Sequence, residues 1–336
     1  MLFSQDIGID LGTANTLICV KNKGIVLREP SVVAVAVGSG QKNVVAVGEE
    51  AKQMIGRTPG SITAVRPIKD GVIADFQMTA DMLRRFIKKA MGSAPFARAR
   101  VMISIPSGVT EVERKAVHDA AVSAGARYVS LIEEPMAAAI GAGIDVSAPK
   151  GSMVVDIGGG TTEVAVLSLG DIVCARSLRV AGDTFDDAIV QYIRRKYSVL
   201  IGERTAEEIK LTIGSAAPYD GEGAMDIRGR NLIDGMPKNI EITSEDVREA
   251  LEDPLAQILE TVRVTLEKTP PELAADIMDS GIVLTGGGAQ LRELDTCLTQ
   301  KTGMPARVAE APMDCVVTGT AICLEKDTLH LGKRKK

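Results

Sequence analysis

The 336 residues are 45% apolar, enough for a large core, but only 3% aromatic with no Trp, so packing must come from aliphatic side chains and Met. A net charge of −5 leaves no broad basic surface for a phosphate backbone, which excludes nucleic acid as a partner. The five cysteines are scattered and form no C-x-x-C pair, a pattern of free thiols in a reducing compartment. In chain order, Met1 to Asp6 has neither a basic n-region nor a long apolar stretch, so no signal peptide is read there. No apolar run approaches the roughly 20 residues that span a bilayer. A strand from Asp6 to Asp10 breaks at Leu11-Gly12-Thr13 and resumes at Asn15 to Lys21, which predicts a hairpin. Further strands are predicted at Ile25–Leu27, Ser31–Val37 and Val44–Val47. A helix from about Thr79 to Met91 places Met82, Leu83, Phe86, Ile87 and Ala90 on one face. A buried strand follows at Val101–Pro106, then a helix opened by the capping box of Thr110 and Glu113 and ended by Gly125. Leu131 to Glu134 reads as a strand that ends in two acids and enters a helix of small residues at Pro135.

At Met153 the pattern restarts. Val154–Ile157 is a strand, Gly158-Gly159-Gly160 a turn, and Thr162–Leu167 a returning strand. Laid over each other, Asp10 to Val20 and Asp156 to Val166 share Asp, Gly, Thr and Val at fixed places. Both copies carry an acid at a strand end just before a Gly-rich turn, so the halves read as an ancient duplication. The second half continues with helices near Asp186–Tyr197 and Thr205–Ile213, and with hairpins between Gly214 and Gly235. A long helix from Ser244 to about Lys268 is expected to bend at Pro254. A short helix follows, with Thr269 predicted as its cap, Pro270 in its first turn and Gly281 as its stop. Strand Ile282–Thr285 runs into Gly286-Gly287-Gly288 and a helix, and the basic tail beyond Asp327 is expected to fray. Alternating strands and helices predict an α/β fold with sheets covered on both faces.

Turns rich in Gly and Thr bring backbone N–H groups around an anion, and Gly removes the Cβ that would block approach. An acid beside such a cradle repels phosphate unless Mg²⁺ stands between them, usually through water. Two facing hairpins would hold a polyphosphate from both sides, with Asp10 and Asp156 near the metal and Thr13, Asn15, Thr161 and Thr162 as donors. Gly286, Gly287 and Gly288 would let a ribose or a flat ring lie against bare backbone. There is no G-x-x-x-x-G-K-[ST], no third glycine of a dinucleotide fingerprint and no zinc cluster, and His118 and His330 sit outside any such constellation.

Asp10-Leu-Gly-Thr resembles the first phosphate motif of the actin, Hsp70 and sugar-kinase superfamily. Asp156-Ile-Gly-Gly-Gly-Thr-Thr-Glu resembles the second, and Thr285-Gly-Gly-Gly-Ala the adenosine motif. Arg28-Glu-Pro-Ser31, Arg66-Pro67, Asp70 to Asp75, Ile132 to Gly141 and Ile201 to Glu207 are similar to the MreB/Mbl family of bacterial actins, in order and over nearly the whole chain. The resemblance implies an actin-like α/β fold of two duplicated RNase-H-like domains with a nucleotide cleft between them. Residues 1–32, 66–145 and 315–336 would form subdomain IA, 33–65 IB, 146–181 with 243–314 IIA, and 182–242 IIB. It implies ATP or ADP with Mg²⁺, held by Gly12, Thr13, Ala14, Asn15, Gly158, Gly159, Gly160 and Thr161. Gly182-Asp183, Glu207 and Lys210 fall where relatives contact the nucleotide, Glu134 where they position water, with Thr162 assisting.

Three activities share this fold, and the fold alone does not choose among them. A head-to-tail filament with slow ATP hydrolysis, serving cell-wall elongation and rod shape, leads. A chaperone of the Hsp70 type would need a peptide-binding domain beyond the ATPase, and a kinase would need a base for its acceptor. The resemblance also implies a cytoplasmic protein peripheral at the membrane, with Met1, Leu2, Phe3 and Phe96 as apolar anchors beside cations.

Overall fold

A computed structural model of the chain describes residues 6–38, 41–57, 61–92 and 100–327. In the first half the strands are β1 (Asp6–Leu11), β2 (Asn15–Val20), β3 (Gly24–Pro30), β4 (Val33–Gly38) and β5 (Gln41–Val47). After the short helix α1 (Glu49–Lys52) come β6 (Ile62–Val65), β7 (Ile68–Lys69), β8 (Val72–Ile73) and α2 (Phe76–Met91). The half closes with β9 (Arg100–Ile105), α3 (Glu111–Ala124), β10 (Tyr128–Glu133) and α4 (Glu134–Gly141).

The second half opens with β11 (Ser152–Ile157), β12 (Thr162–Ser168) and β13 (Asp171–Leu178). Then come α5 (Gly182–Tyr197), β14 (Val199–Leu200), α6 (Glu203–Ile213), β15 (Ala224–Asn231) and β16 (Pro237–Thr243). The helices α7 (Ser244–Lys268) and α8 (Pro271–Ser280) precede β17 (Ile282–Thr285), α9 (Leu294–Thr302) and β18 (Ala306–Val308), and α10 (Cys315–Asp327) ends the described chain.

The two halves repeat one topology. Their five-stranded sheets run β10-β9-β1-β2-β3 and β18-β17-β11-β12-β13. In each, an antiparallel meander of three strands is extended by two parallel strands. The register repeats as well: Asp10 pairs with Leu17 across the first hairpin, and Asp156 with Glu163 across the second. Each half also carries a three-stranded sheet, β5-β4-β6 in the first and β14-β15-β16 in the second.

Local chemistry sets the helix ends. Asp75 caps α2 by accepting the Met78 N–H at 3.0 Å, and Met82, Leu83, Phe86 and Ile87 on its inner face are buried. The capping box of Thr110 and Glu113 opens α3, and Gly125 closes it at φ 114. Pro254 lies buried inside α7, which runs from Ser244 to Lys268 as a single helix.

Three expectations are corrected. Thr269 does not cap α8: Pro270 is the N-cap and Pro271 the first helical residue, while the Thr269 hydroxyl donates back to the Thr265 carbonyl at 2.9 Å. The helix expected near Asp186 begins four residues earlier, at Gly182. Of the hairpins expected between Gly214 and Gly235, only the strand from Ala224 forms, and its partner β16 lies beyond.

The second half is pinned where α5 meets the start of α7. Asp246 completes a capping box with Thr243 and accepts hydrogen bonds from Lys196 at 2.7 Å and Tyr197 at 2.9 Å. Burial acts to raise its pKa, but the bonds from Lys196, Thr243 and Tyr197 outweigh that and hold it at about 2. A depressed carboxylate pKa contributes stability above the unfolded value near 4 and loses it as pH falls toward the folded value. Asp246→Asn is therefore expected to lower stability at pH 7 by about 2 kcal/mol. In urea unfolding, the gap to wild type should narrow as pH falls from about 4 toward 2; a gap independent of pH would contradict the electrostatic account.

Candidate functional site

The turns of the two hairpins meet tip to tip. A Cβ on Gly159 would lie 2.4 Å from the Ala14 Cβ, and one on Gly160 2.5 Å from the Thr13 hydroxyl, so only glycine lets the turns approach this closely. Each turn is braced from behind. Ser31 donates from its hydroxyl to the Gly12 carbonyl at 2.7 Å and from its N–H to the Ala14 carbonyl at 2.9 Å. Thr13 Oγ1 accepts the Gly71 N–H at 3.0 Å. The second turn is held by the N-terminus of α5, where Gly182 and Asp183 donate to the Gly158 and Gly159 carbonyls at 3.1 and 2.8 Å.

A third wall comes from the end of β17. Gly286 has φ +82, and a Cβ there would sit 2.3 Å from the Ile157 carbonyl. Between these walls lies a cavity of about 310 Å³. It is lined by Gly12, Thr13, Ala14 and Asn15 of the first turn, and by Gly158, Gly159, Gly160 and Thr161 of the second. Gly286, Gly287, Gly288, Gly182, Asp183, Glu207 and Lys210 complete its walls, with Asp10, Asp156 and Glu134 among the lining acids.

Thr162 is the exception among the residues singled out from the sequence. One step along a strand turns the side chain to the opposite face. It is fully buried behind the cavity, and its hydroxyl donates to the Val180 carbonyl at 2.7 Å. Thr162 therefore supports the sheet, and Thr161 is the threonine that faces the cavity. Met1, Leu2, Phe3 and Phe96 lie outside the described residues.

The electrostatics at the cavity floor are strongly acidic. Asp10 accepts the Ser104 hydroxyl at 3.1 Å, yet burial and the neighbouring charge of Asp156 raise its pKa to about 7. Burial raises Asp156 to about 6 against the hydrogen bond from Thr285 at 2.6 Å. Glu134 is pushed well above the ordinary carboxylate range by burial, then by the charges of Glu163, Asp10 and Asp156. Such a set repels itself and favours a bound cation. Among the described residues, however, no three acid, His or Cys side chains converge to ligate a metal ion by themselves.

The mouth of the cavity is crossed by ion pairs. Arg66 reaches Asp183 at 2.9 Å and Lys52 reaches Glu207 at 2.8 Å, each linking the first half to the second. Lys210 pairs with Asp186 at 2.8 Å and donates to the Gly182 carbonyl at 3.0 Å. No site role was expected for Arg66, Asp186, Gly71 or Ser31. Asp186 had a usable signal, because a helix begun at Gly182 places positions 183 and 186 on one face.

Two duplicated sheets, each with a smaller attached sheet, that close on a cavity between glycine-rich hairpins define an actin-like protein. MreB5 of Spiroplasma citri bound to ADP superposes with a TM-score of 0.93 at 42% identity, covering 99% of this chain and 100% of that one. The MamK double helical filament shares the fold at a TM-score of 0.81 and 20% identity, covering 96% of this chain and 99% of that one. The MreB/Mbl protein family matches residues 4–331, and the chain belongs to that family. It is 56% identical to the cell shape-determining protein MreB of Escherichia coli K12, covering 98% of this chain and 96% of the relative. It is 52% identical to the cell shape-determining protein Mbl of Bacillus subtilis 168, covering 99% of each.

Proposed function

We propose that the chain binds ATP in this cavity, polymerises head to tail into filaments and determines bacterial cell shape, with slow ATP hydrolysis accompanying assembly. The observation that carries the reading is the meeting of both hairpin turns and the glycine wall in one cavity above Asp10 and Asp156. The backbone N–H groups of the turns cradle the phosphates, and Gly286 to Gly288 leave bare backbone for the nucleoside. Spiroplasma citri MreB5, of the same family, has been seen with ADP and with AMPPNP.

Mg²⁺ fits this floor. Its oxygen-only donors suit a hard cation, and burial, with the charge of Asp156 beside Asp10, holds Asp10 at about 7 and Asp156 at about 6, so a cation between them would be favoured. Asp10 and Asp156 would hold it through water, and when bound it neutralises phosphate charge. Glu134 orients the attacking water and accepts its proton. We divide the chain into subdomains in which 33–65 and 182–242 are the two insertions, IB and IIB, a reading supported by the three-stranded sheet found in each half. Residues 1–32, 66–145 and 315–336 form IA, and 146–181 with 243–314 form IIA.

A heterologous contact that does not close builds an open polymer, and the filament lies at the cytoplasmic face of the membrane, beside the cell-wall synthesis machinery. None of the helices among the described residues is long and apolar enough to cross a membrane. Apolar Met1, Leu2, Phe3 and Phe96 would supply peripheral attachment.

Negative-stain electron microscopy of the purified chain with Mg²⁺-ATP, with and without anionic vesicles, tests the reading. Filaments are expected for wild type and absent for Asp156→Ala. Monodisperse wild-type particles under every condition would overturn the cytoskeletal role and direct attention to phosphoryl transfer onto an acceptor.

A further inference from the structure

A second buried glutamate stands behind the cavity wall. Glu163 is fully buried on β12, opposite Asp156. The duplication shows that the fold does not require an acid there, because the equivalent position opposite Asp10 is Leu17. A buried carboxylate is costly unless its oxygens are hydrogen-bonded, and both oxygens of Glu163 are engaged. Oε1 accepts the Ser177 hydroxyl at 2.5 Å, and Oε2 accepts the Ser107 N–H at 3.1 Å. Ser107 lies on the connection between β9 and α3, and its hydroxyl donates to Glu133 Oε2 at 2.9 Å. Glu133 is the last residue of β10, immediately before Glu134.

We propose that Glu163 is a positioning residue for hydrolysis: through Ser107 and Glu133 it ties the second phosphate hairpin to the strand end that carries Glu134. The inference rests on the ATPase reading above. The chain of bonds crosses from one half of the molecule to the other, since Glu163 belongs to the second half and Ser107 and Glu133 to the first. Seating phosphate on the second hairpin therefore fixes Ser107, and Ser107 fixes the entry of α4.

The test is a double-variant cycle that separates nucleotide affinity from turnover. Ser107→Ala removes only the hydroxyl bond to Glu133 and leaves the backbone N–H on Glu163, so it carries little risk to folding. Glu163→Met removes both bonds of the carboxylate, and Glu163→Gln retains them, because the amide accepts from Ser107 and donates to Ser177. With ATP saturating, Ser107→Ala and Glu163→Met are each expected to turn over about 10-fold more slowly at unchanged ATP affinity. The double variant should be no slower than either single one, as expected of residues that act as a unit.

Glu163→Gln should stay within about 2-fold of wild type. Hydrogen exchange at the Ser107 amide should accelerate in Glu163→Met and remain slow in Glu163→Gln, whatever the activity. Additive losses, unchanged turnover in Ser107→Ala, or Glu163→Gln as slow as Glu163→Met would overturn the positioning role and leave the ATPase reading standing. Wild-type protein that binds no ATP, or binds it without hydrolysis, would strike the ATPase reading and this inference with it.

Discussion

Replacing Glu134 with Ala is expected to leave ATP affinity within a few-fold of wild type while slowing hydrolysis about 100-fold, the scale of a lost general base. Glu134 is the first residue of α4, with Pro135 directly behind it, so its backbone is fixed as it enters the cavity. The side chain is only 8% exposed and stands among Asp10, Asp156 and Glu163, whose charges, after burial, push its pKa well above the usual carboxylate range. A carboxylate whose proton affinity has been raised is a better acceptor for a water proton near neutral pH. It is also a poor ligand for phosphate, which shares its sign. The role proposed for Glu134 therefore bears on the turnover of bound ATP and not on its affinity.

Asp10→Ala separates the two roles. Asp10 sits beneath the first hairpin turn, and its loss should weaken Mg²⁺-dependent nucleotide binding directly. Titration with a fluorescent ATP analogue, paired with single-turnover hydrolysis, distinguishes them. If Glu134→Ala loses nucleotide affinity but keeps wild-type turnover for the ATP that remains bound, its assignment to water is wrong.

The sheets were legible because the sequence states their pattern twice. Asp10 and Asp156 mark matching strand ends, and the structure gives them the same place in the same register. The glycines lining the cavity were legible for a related reason: three consecutive glycines exceed what a plain turn requires. What escaped depends on distant segments meeting. The pairing of Arg66 with Asp183 exists only because the two halves close on each other, and no local spacing encodes it. Thr162 was misplaced by a single residue, which in a strand is enough to exchange the cavity for the core. Thr269 looked like a helix cap, but Pro271 took the first helical position and moved the cap to Pro270, leaving Thr269 to bond backward. The contrast between Glu163 and Leu17 was present in the aligned hairpins. It became meaningful only when the register showed the two positions to be equivalent.

The run of small residues after Glu134 also has a structural purpose, and it gives the largest expected effect on stability. α4 crosses α10 with the backbones nearly touching. A Cβ on Gly319 would lie 1.9 Å from the Ala137 carbonyl oxygen, and one on Gly141 1.8 Å from the Cys315 carbonyl oxygen. Each helix thus offers a glycine to the other, Ala137 lies against Gly319, and Ala137, Ala138 and Ala139 are all fully buried.

In an exposed helix, Gly to Ala would stabilise by about 1 kcal/mol. Here the sign should reverse, because the helices must part by roughly 1 Å, and overpacking of that kind costs about 1–3 kcal/mol beyond any propensity gain. Gly319→Ala is therefore expected to lower the thermal midpoint by about 5 °C, and Gly319→Val to prevent folding. Gly202, which has open space around its Cβ position and caps α6, is the control: Gly202→Ser should be neutral or slightly stabilising.

The crossing also bears on turnover. α4 begins with Glu134, and Val316 at the start of α10 lines the cavity. A shift of about 1 Å there is enough to cost up to about 100-fold in rate. Gly319→Ala should consequently hydrolyse ATP more slowly even well below its melting temperature. Adding Gly141→Ala should cost less than it does alone, since helices already parted have room for the second methyl. A Gly319→Ala variant as stable as wild type would mean that the helices can separate freely, and the close crossing would then have no part in holding Glu134 over the cavity.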